Sequence, residues 1–352
     1  MQLKTLALLG VIAVVGWFWV KGLHLEDIQQ IVVKSNAQVS PTGFDPLPPP
    51  AASGPPGNET IIIGSFNIQV FGNAKESKQH VYNELARIVG RFDLVAIQEI
   101  RTQDDQFMPR FARRVSELTG RPFHAIVGPR LGNTISTEQY AYIYDTQKIV
   151  ANPQYSFTVN DPENLLHREP LVTMFATRGV PEDRRFTFVL MNVHTDPDVA
   201  GQEMDVLAQA YQVVSRHASQ LVPYGEDDII MLGDFNTNVP SLPSGQFGRQ
   251  SRPLTQADLF GLGRVPNIFA VVQNEPTNTR QTKIHDNILF NTLATREFLR
   301  GGVYDIAKYH NLRQDQVLEI SDHLPVWAEF SAYEYDERRQ GNVARGAAGV
   351  AR

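Results

Sequence analysis

The sequence contains no cysteine among its 352 residues. This absence excludes disulfide-stabilised scaffolds, zinc sites built on thiolates and cysteine nucleophiles. Any metal must therefore be held by oxygen or imidazole ligands. A surplus of positive charge is also lacking, because Lys and Arg number 32 against 38 Asp and Glu. A binding mode in which a strongly basic surface neutralises many phosphates is therefore disfavoured.

Residues 5–20 form an apolar run without a charged side chain, TLALLGVIAVVGWFWV. As a helix this run would be about 24 Å long, slightly shorter than the ~30 Å hydrocarbon layer of a membrane. The bulky Trp17, Phe18 and Trp19 disfavour signal cleavage, which needs small residues, and tryptophan favours the membrane interface. We therefore expect residues 1–25 to be a single-pass membrane anchor with the catalytic domain on the extracytoplasmic side. Cleavage of a signal segment followed by secretion is the alternative.

Two further segments are expected to lie outside the folded core. Residues 26–58 are predicted to be a stalk, because their second half is dense in Pro, Gly, Ala and Ser, which favours extended polyproline conformations. Residues 333–352 are polar, basic and rich in Gly and Ala, which predicts a disordered tail. The interval 59–332 is then expected to form one catalytic domain.

Short apolar strands alternate with amphipathic helices in this interval. Apolar residues at helical spacing predict helices over 77–92, 106–118 and 201–221. Buried strands are predicted over 61–66, 93–100, 123–127, 140–144, 171–177, 186–194, 228–234, 288–290 and 325–330. Because the strands outnumber the helices, the sequence predicts two packed sheets with helices on their outer faces.

Polar side chains gather where these apolar strands stop. The residues concerned are Asn67, Glu99, Glu138, His194, Asp234, Asn236, Asp286, Asp322 and His323. Carboxylates at the ends of buried strands are costly unless they pair with another group or bind a cation, and such residues collect in active sites. The carboxylates and asparagine amides of this set are hard oxygen ligands, which suit Mg²⁺ or Mn²⁺.

The two histidines of this set could each pair with a carboxylate, Glu138 or Asp286. Such pairs fix the tautomer of the imidazole and raise its basicity, as general acid–base catalysis requires. Each short motif alone also has an ordinary structural explanation, such as a turn or a cap. The ordered combination of motifs is what points to a catalytic site.

These motifs resemble the endonuclease/exonuclease/phosphatase superfamily, and they look most like its DNase I branch. The resemblance covers about residues 61–330 and rests on FNIQVFG, AIQEIR, HREPLVTMF, GDFN and ISDHLPV. It implies a four-layered α/β sandwich, in which two facing mixed sheets are flanked by helices and carry the site at their top. It also implies metal-dependent hydrolysis of phosphodiesters by in-line attack of a water molecule.

The resemblance also implies roles for individual residues. Glu99 matches the metal-binding glutamate, and Asn67 and Asp322 are expected to complete the metal ligands. Four residues of this chain match family residues that ligate metal or hold the scissile phosphate: Asn67, Asp234, Asn236 and Asp322. Of these, Asn67 and Asn236 are expected to contact substrate.

Two histidines share acid and base duties in the family. They are matched by His194, oriented by Glu138, and by His323, oriented by Asp286; which one is the base stays open at this point. Arg101 matches an arginine that enters the DNA minor groove. Arg168 matches an arginine that contacts a phosphate.

The expected function is therefore that of an endonuclease that cuts DNA without sequence specificity and depends on Mg²⁺, with Mn²⁺ as a substitute. RNA remains open as a substrate, and no obligate protein partner is indicated. One alternative is a phosphatase or phospholipase of the same superfamily acting on lipid or inositol phosphate head groups, which a membrane tether would suit. Another is a catalytically inactive binding module on the same scaffold. Glu275, Thr277 and Thr279 align loosely with a structural Ca²⁺ loop.

Overall fold

The structure is a computed structural model, which describes five stretches of the chain: residues 59–133, 137–220, 225–242, 250–251 and 253–335. The expected anchor, the stalk and most of the expected tail lie outside these residues. Within the described part of the chain, no helix combines the length and the apolar character needed to cross a membrane.

Thirteen strands are formed by the described residues. In chain order they are β1 (Thr60–Phe71), β2 (Leu94–Ile100), β3 (Phe123–Val127), β4 (Gln139–Asp145), β5 (Ile149–Thr158), β6 (Leu171–Thr177), β7 (Thr187–His194), β8 (Ile229–Leu242), β9 (Gln250–Ser251), β10 (Ile268–Ala270), β11 (Lys283–Asn291), β12 (Phe298–Val303) and β13 (Val326–Ser331).

The helices of the described residues lie between these strands. The α-helices are α1 (Asn73–Ser77), α2 (Gln79–Val89), α3 (Phe107–Thr119), α4 (Ala200–Ser219), α5 (Ile306–His310) and α6 (Gln314–Ile320). Short 3₁₀ helices span Glu182–Arg184, Gln256–Leu259 and Leu262–Arg264. In α2 the apolar side chains at helical spacing, Val81, Leu85 and Ile88, are buried, as their spacing predicts.

The strands form two mixed sheets. The first has the order β12-β13-β1-β2-β4-β3, and the second has the order β10-β11-β8-β7-β6-β5 with β9 paired to β8. Parallel pairs occur at β1–β2 and β7–β8, and the other strand pairs of the described chain are antiparallel.

Three layers of apolar packing hold this arrangement together. Side chains of β1, β2, β4 and β13 pack between the sheets against those of β6, β7, β8 and β11. Helices α2 and α3 cover the outer face of the first sheet, and α4 covers that of the second. The expected four-layered α/β sandwich is therefore confirmed.

The structure also departs from the sequence expectation in places. Strand β5 was not predicted, because Asn152, Pro153 and Gln154 interrupt its apolar pattern. It lies at the edge of its sheet, where proline is tolerated. Ordered structure also continues past residue 332, since the backbone N–H of Glu334 donates to the carbonyl of Arg184 at 2.9 Å.

The β7–β8 pair requires glycine at one position next to the polar strand ends. Val193 lies opposite Gly233, and His194 lies opposite Asp234. Gly233 has φ of +150°, and a Cβ at this residue would lie 1.9 Å from the carbonyl oxygen of Val193. Only glycine therefore lets the two strands approach closely enough to bring His194 beside Asp234.

Replacing Gly233 with alanine should lower the free energy of unfolding by about 3 kcal/mol or more, because β7 and β8 must separate to admit the methyl group. Gly120 offers a matched control, since it has φ of +70° but its Cβ would meet nothing within 4 Å. Gly120→Ala should cost only about 1–2 kcal/mol. Urea denaturation measures both, and equal costs would contradict the close-approach argument.

Candidate active site

Three neighbouring strands of the second sheet place polar side chains in one row. His194 on β7 lies opposite Asp234 on β8, which in turn lies opposite Asp286 on β11. Residues that are opposite one another across a sheet share a face, so all three side chains point the same way. Between the pairs Ile284–Val239 and Asp286–Asp234 the register shifts, and the extra residues lie on β8 directly after Asp234.

The first sheet contributes Asn67 and Glu99 from its parallel strands. Next to both residues the β1–β2 and β2–β4 registers shift, so β1 and β2 carry bulges at the same edge. Glu99 has φ of +61° and Val70 has φ of +49°, a left-handed conformation that is rare for non-glycine residues. The Val70 N–H donates to Oε2 of Glu99 at 3.0 Å, which holds this carboxylate at the strand end.

His323 reaches the same place from the loop between α6 and β13. Ser321, which is fully buried, fixes this loop by donating from its Oγ to the carbonyl oxygen of Asn67 at 2.8 Å. The hydroxyl of Thr279 donates to the Ser321 carbonyl at 2.8 Å. Two loops far apart in sequence are thereby fastened to the end of β1.

Each histidine contacts a buried carboxylate through Nδ1. Nδ1 of His194 lies 2.7 Å from Oε1 of Glu138, and Nδ1 of His323 lies 2.8 Å from Oδ2 of Asp286. Both Nε2 atoms then face Asp234, each at 3.6 Å from its Oδ2. The site thus holds two oriented imidazoles on either side of one carboxylate, an arrangement suited to moving protons.

Asp234 is held from four directions. Its Oδ2 accepts from Nδ2 of Asn67 at 3.0 Å, and its Oδ1 accepts from the backbone N–H of Asn236 at 3.0 Å. Burial would raise the pKa of Asp234, but the nearby His323 and His194 lower it to about 2. The carboxylate is therefore ionised although it is 1% exposed.

The neighbouring carboxylates have the opposite effect on the two histidines, whose pKa values they raise. Burial would lower the pKa of His323, yet Asp286 and Asp234 raise it above its usual range. The pKa of His194 is likewise raised by Glu138 against the effect of burial. Because each ring faces anionic neighbours, a proton on either imidazole is stabilised inside the protein.

The two arginines of the sequence expectation differ in accessibility. The Arg168 side chain is 9% exposed, and its Nε lies 3.3 Å from Oε1 of Glu138. Its Nε and Nη2 also donate to the carbonyls of His194 and Thr195, at 3.1 and 3.2 Å. The Arg101 side chain is 31% exposed and lies 3.3 Å from Glu99. Arg168 therefore braces the cleft wall from a nearly buried position, while Arg101 is more accessible.

These side chains open onto a cleft of about 320 Å³. Seven of the residues singled out from sequence line it: Glu99, Arg101, Arg168, His194, Asp234, Asn236 and His323. Asn67, Glu138 and Asp286 are 0% exposed and lie behind the lining. Asp322 faces an adjoining cleft that shares His323 with the first one.

Two residues support the site although the sequence did not assign them to it. Thr277 donates from its Oγ1 to Oδ2 of Asp286 at 2.7 Å, which orients the partner of His323. Glu203 on α4 is 2% exposed and accepts from the backbone N–H groups of His167 and Asp196 in two cleft-lining loops. The only sequence signal for Glu203 is a charged residue on the buried face of an amphipathic helix.

The three residues that align loosely with a Ca²⁺ loop are each engaged with a different protein group, and their role in Ca²⁺ binding stays a prediction. The hydroxyls of Thr277 and Thr279 donate within the protein, to Asp286 and to the Ser321 carbonyl. Oε2 of Glu275 accepts instead from the backbone N–H of Val303 at 3.4 Å. Thr279 thereby holds the segment that carries His323, Thr277 orients its partner Asp286, and Glu275 contacts β12.

Comparison with known proteins gives a consistent result. A model of the Endonuclease/Exonuclease/phosphatase family matches residues 64–323. Deoxyribonuclease-1-like 1 of Homo sapiens is 27% identical over 278 residues, which cover 78% of this chain and 85% of that protein. Deoxyribonuclease gamma of Rattus norvegicus is 24% identical over 280 residues, which cover 76% and 83%. The crystal structure of a truncated TDP2 from Caenorhabditis elegans has a TM-score of 0.50 at 12% identity, covers 78% and 98%, and shares the fold.

The two arginines should differ in their effect on stability. Arg168→Ala leaves Glu138 and two carbonyls without their buried partner, so it should lower the free energy of unfolding by about 3–5 kcal/mol. Arg101→Ala removes two ion pairs of a partly exposed side chain, to Glu99 at 3.3 Å and to Glu138 at 3.6 Å, and should cost about 1 kcal/mol or less. Urea denaturation of both variants measures the difference. A smaller loss for Arg168→Ala than for Arg101→Ala would refute the assignment of Arg168 as a buried brace.

Proposed function

The chain belongs to the endonuclease/exonuclease/phosphatase family and to its DNase I-like branch, and on this premise we propose that it is a metal-dependent DNA endonuclease. It would hydrolyse the phosphodiester P–O bond by in-line attack of water, without sequence specificity. The single observation that carries this proposal is the convergence of both Nε2 atoms, of His194 and His323, on Asp234.

This convergence supplies the two proton transfers that hydrolysis requires. One imidazole takes a proton from the attacking water, and the other gives a proton to the leaving oxygen on the opposite side of the phosphorus. Glu138 and Asp286 hold each ring through Nδ1, which leaves Nε2 free for the exchange. Asp234, kept ionised between them, would stabilise whichever ring carries the positive charge.

The donor chemistry fits a hard divalent cation. Glu99 offers a partly exposed carboxylate, and Oδ1 of Asn67 is buried without a hydrogen-bond partner in the described structure. We propose that Glu99, Asn67 and Asp322 hold Mg²⁺, because Mg²⁺ prefers oxygen ligands and all three side chains offer them. A bound Mg²⁺ supplies positive charge for the non-bridging oxygens of the phosphate.

Substrate binding is proposed to depend on few positive groups. Arg101 is the accessible arginine of the first cleft, and Arg280 is exposed in the adjoining cleft. Asn236 also lines the first cleft, within reach of a bound phosphate. Because the whole chain carries a net charge of -6, attraction to a polyanion must come from these side chains and from bound cations. Cleavage should therefore weaken as salt rises, with a modest slope set by this small number of phosphate contacts.

Digestion of supercoiled plasmid by the purified chain tests this function. With Mg²⁺ we expect nicked and then linear DNA, and EDTA should abolish both products. His194→Ala should lower the rate by about 10²–10⁴-fold, because it removes one of the two proton-transferring groups. His80→Ala is the matched control, since its exposed ring contacts Glu319 away from the cleft, and it should cut at the wild-type rate.

The same preparation separates the proposed function from its alternatives. Release of phosphate or phosphocholine from lipid vesicles, with plasmid left intact, would show a head-group hydrolase and contradict the nuclease proposal. Inactivity on both substrates with Mg²⁺ and with Mn²⁺ would support a binding module instead.

We further propose that residues 5–20 tether the enzyme to a membrane, with the catalytic domain on the extracytoplasmic side. The support is the uncharged apolar run and its tryptophans at the end nearer the domain. Fractionation of cells that express the full chain should recover it with membranes at its full mass. Recovery of a shorter soluble protein would contradict the tether and indicate signal cleavage.

A further inference from the structure

A second group of buried carboxylates lies at the end of the sheets opposite the candidate active site. Asp228 immediately precedes β8, Glu297 precedes β12 and Glu334 follows β13. One oxygen from each of the three lies within 4.8 Å of the others. Because Asp228 belongs to the second sheet and the two glutamates to strand ends of the first, the cluster bridges the two sheets.

Two of these carboxylates are almost inaccessible to water. Asp228 is 1% exposed and Glu297 is 2% exposed. Oδ1 of Asp228 and Oε2 of Glu297 are buried without a hydrogen-bond partner, although buried polar atoms are nearly always paired. The cluster thus contains two buried carboxylates that each keep one oxygen without a hydrogen-bond partner.

The charges around the cluster indicate that a ligand bound there would be positively charged. In the described residues, neither Asp228 nor Glu297 forms an ion pair with a lysine, arginine or histidine within 4 Å. Glu226, which is 5% exposed, adds a fourth carboxyl beside the cluster and accepts from the Asp228 N–H at 2.8 Å. Burial and the neighbouring Glu297 and Glu226 raise the pKa of Asp228 well above its usual range, and burial raises that of Glu297. A bound cation would remove this repulsion.

We propose that Asp228, Glu297 and Glu334 form a structural cation site for Ca²⁺, which clamps the two sheets together at the end away from catalysis. Carboxylate oxygens from separate chain segments suit Ca²⁺, because it accepts irregular geometry and six to eight oxygen ligands. Mg²⁺ requires near-ideal octahedral geometry and usually keeps several waters, so it suits such a set of carboxylates less well. Thr295, whose hydroxyl lies beside Asp228, is a further oxygen donor at the same place.

Thermal unfolding of the full chain in detergent tests the site. After treatment with EDTA, Ca²⁺ at about 100-fold above its Kd should raise Tm by roughly 5–10 °C, whereas Mg²⁺ at the same concentration should have a much smaller effect. Glu297→Gln and Asp228→Asn should lose the Ca²⁺ shift. Glu99→Gln is the matched control, because it removes a carboxylate at the candidate active site only, and it should keep the shift.

Equilibrium dialysis with ⁴⁵Ca keeps the test decisive if one variant fails to fold. Glu99→Gln should retain one Ca²⁺ per chain, and adding Glu297→Gln to it should abolish that binding. The proposal is overturned by an absent Ca²⁺ shift in the wild type, by a shift that survives Glu297→Gln, or by one that Glu99→Gln removes. A Tm that does not change with Ca²⁺ but rises when the pH is lowered from 8 to 6 would show that the carboxyl groups share protons instead. This result would also overturn the proposal.

Discussion

A single ionised carboxylate, Asp234, is the constraint on which the rest of the structure depends. It lies at the junction of the two sheets, almost without solvent, and such a charge is costly unless its neighbours compensate it. Compensation comes from both sheets and from a loop: Asn67 across the interface, His194 from the adjacent strand and His323 from the segment before β13. A slip of one sheet against the other would leave the charge buried and unpaired. The chemistry of the cleft and the alignment of the sandwich therefore stabilise each other.

Much of the fold could be predicted from the sequence, because most strands and helices are marked by the pattern of apolar and polar residues within each segment. Apolar runs ended by polar residues marked most strands, and parallel strands such as β7 and β8 bring their carboxyl ends to one edge. For that reason the residues expected to meet around the cleft do meet there, while their catalytic roles stay predictions. The bulges that aim Glu99 and the buried position of Arg168 depend on contacts between distant segments. The carboxylate of Glu203, which fastens two loops by their backbones, likewise has no pattern of its own in the sequence.

Polar contacts also reach deep between the sheets. Nε2 of Gln98 donates to Oδ1 of Asn192 at 2.7 Å and to Oγ of Ser65 at 3.1 Å, and all three side chains are fully buried. Nδ2 of Asn192 reaches the carbonyls of Ile97 and Ala141 at 3.2 and 3.3 Å, across the sheet interface. Apolar packing alone tolerates sliding, whereas such directional bonds are satisfied in one register only. These bonds therefore fix the register of the two apolar sheet faces, and with it the positions of the residues that line the cleft.

The pairing of the first strand with the last has a consequence for biosynthesis. β1 lies between β2 and β13, and Ser321 and His323 close the site only when the final part of the domain is present. During translation, residues that emerge early must therefore wait for partners separated from them by almost the entire domain. A nascent or prematurely terminated polypeptide lacks one imidazole and the strand that supports it. The cleft is thus completed only at the end of synthesis, when the segment that carries His323 and β13 has emerged.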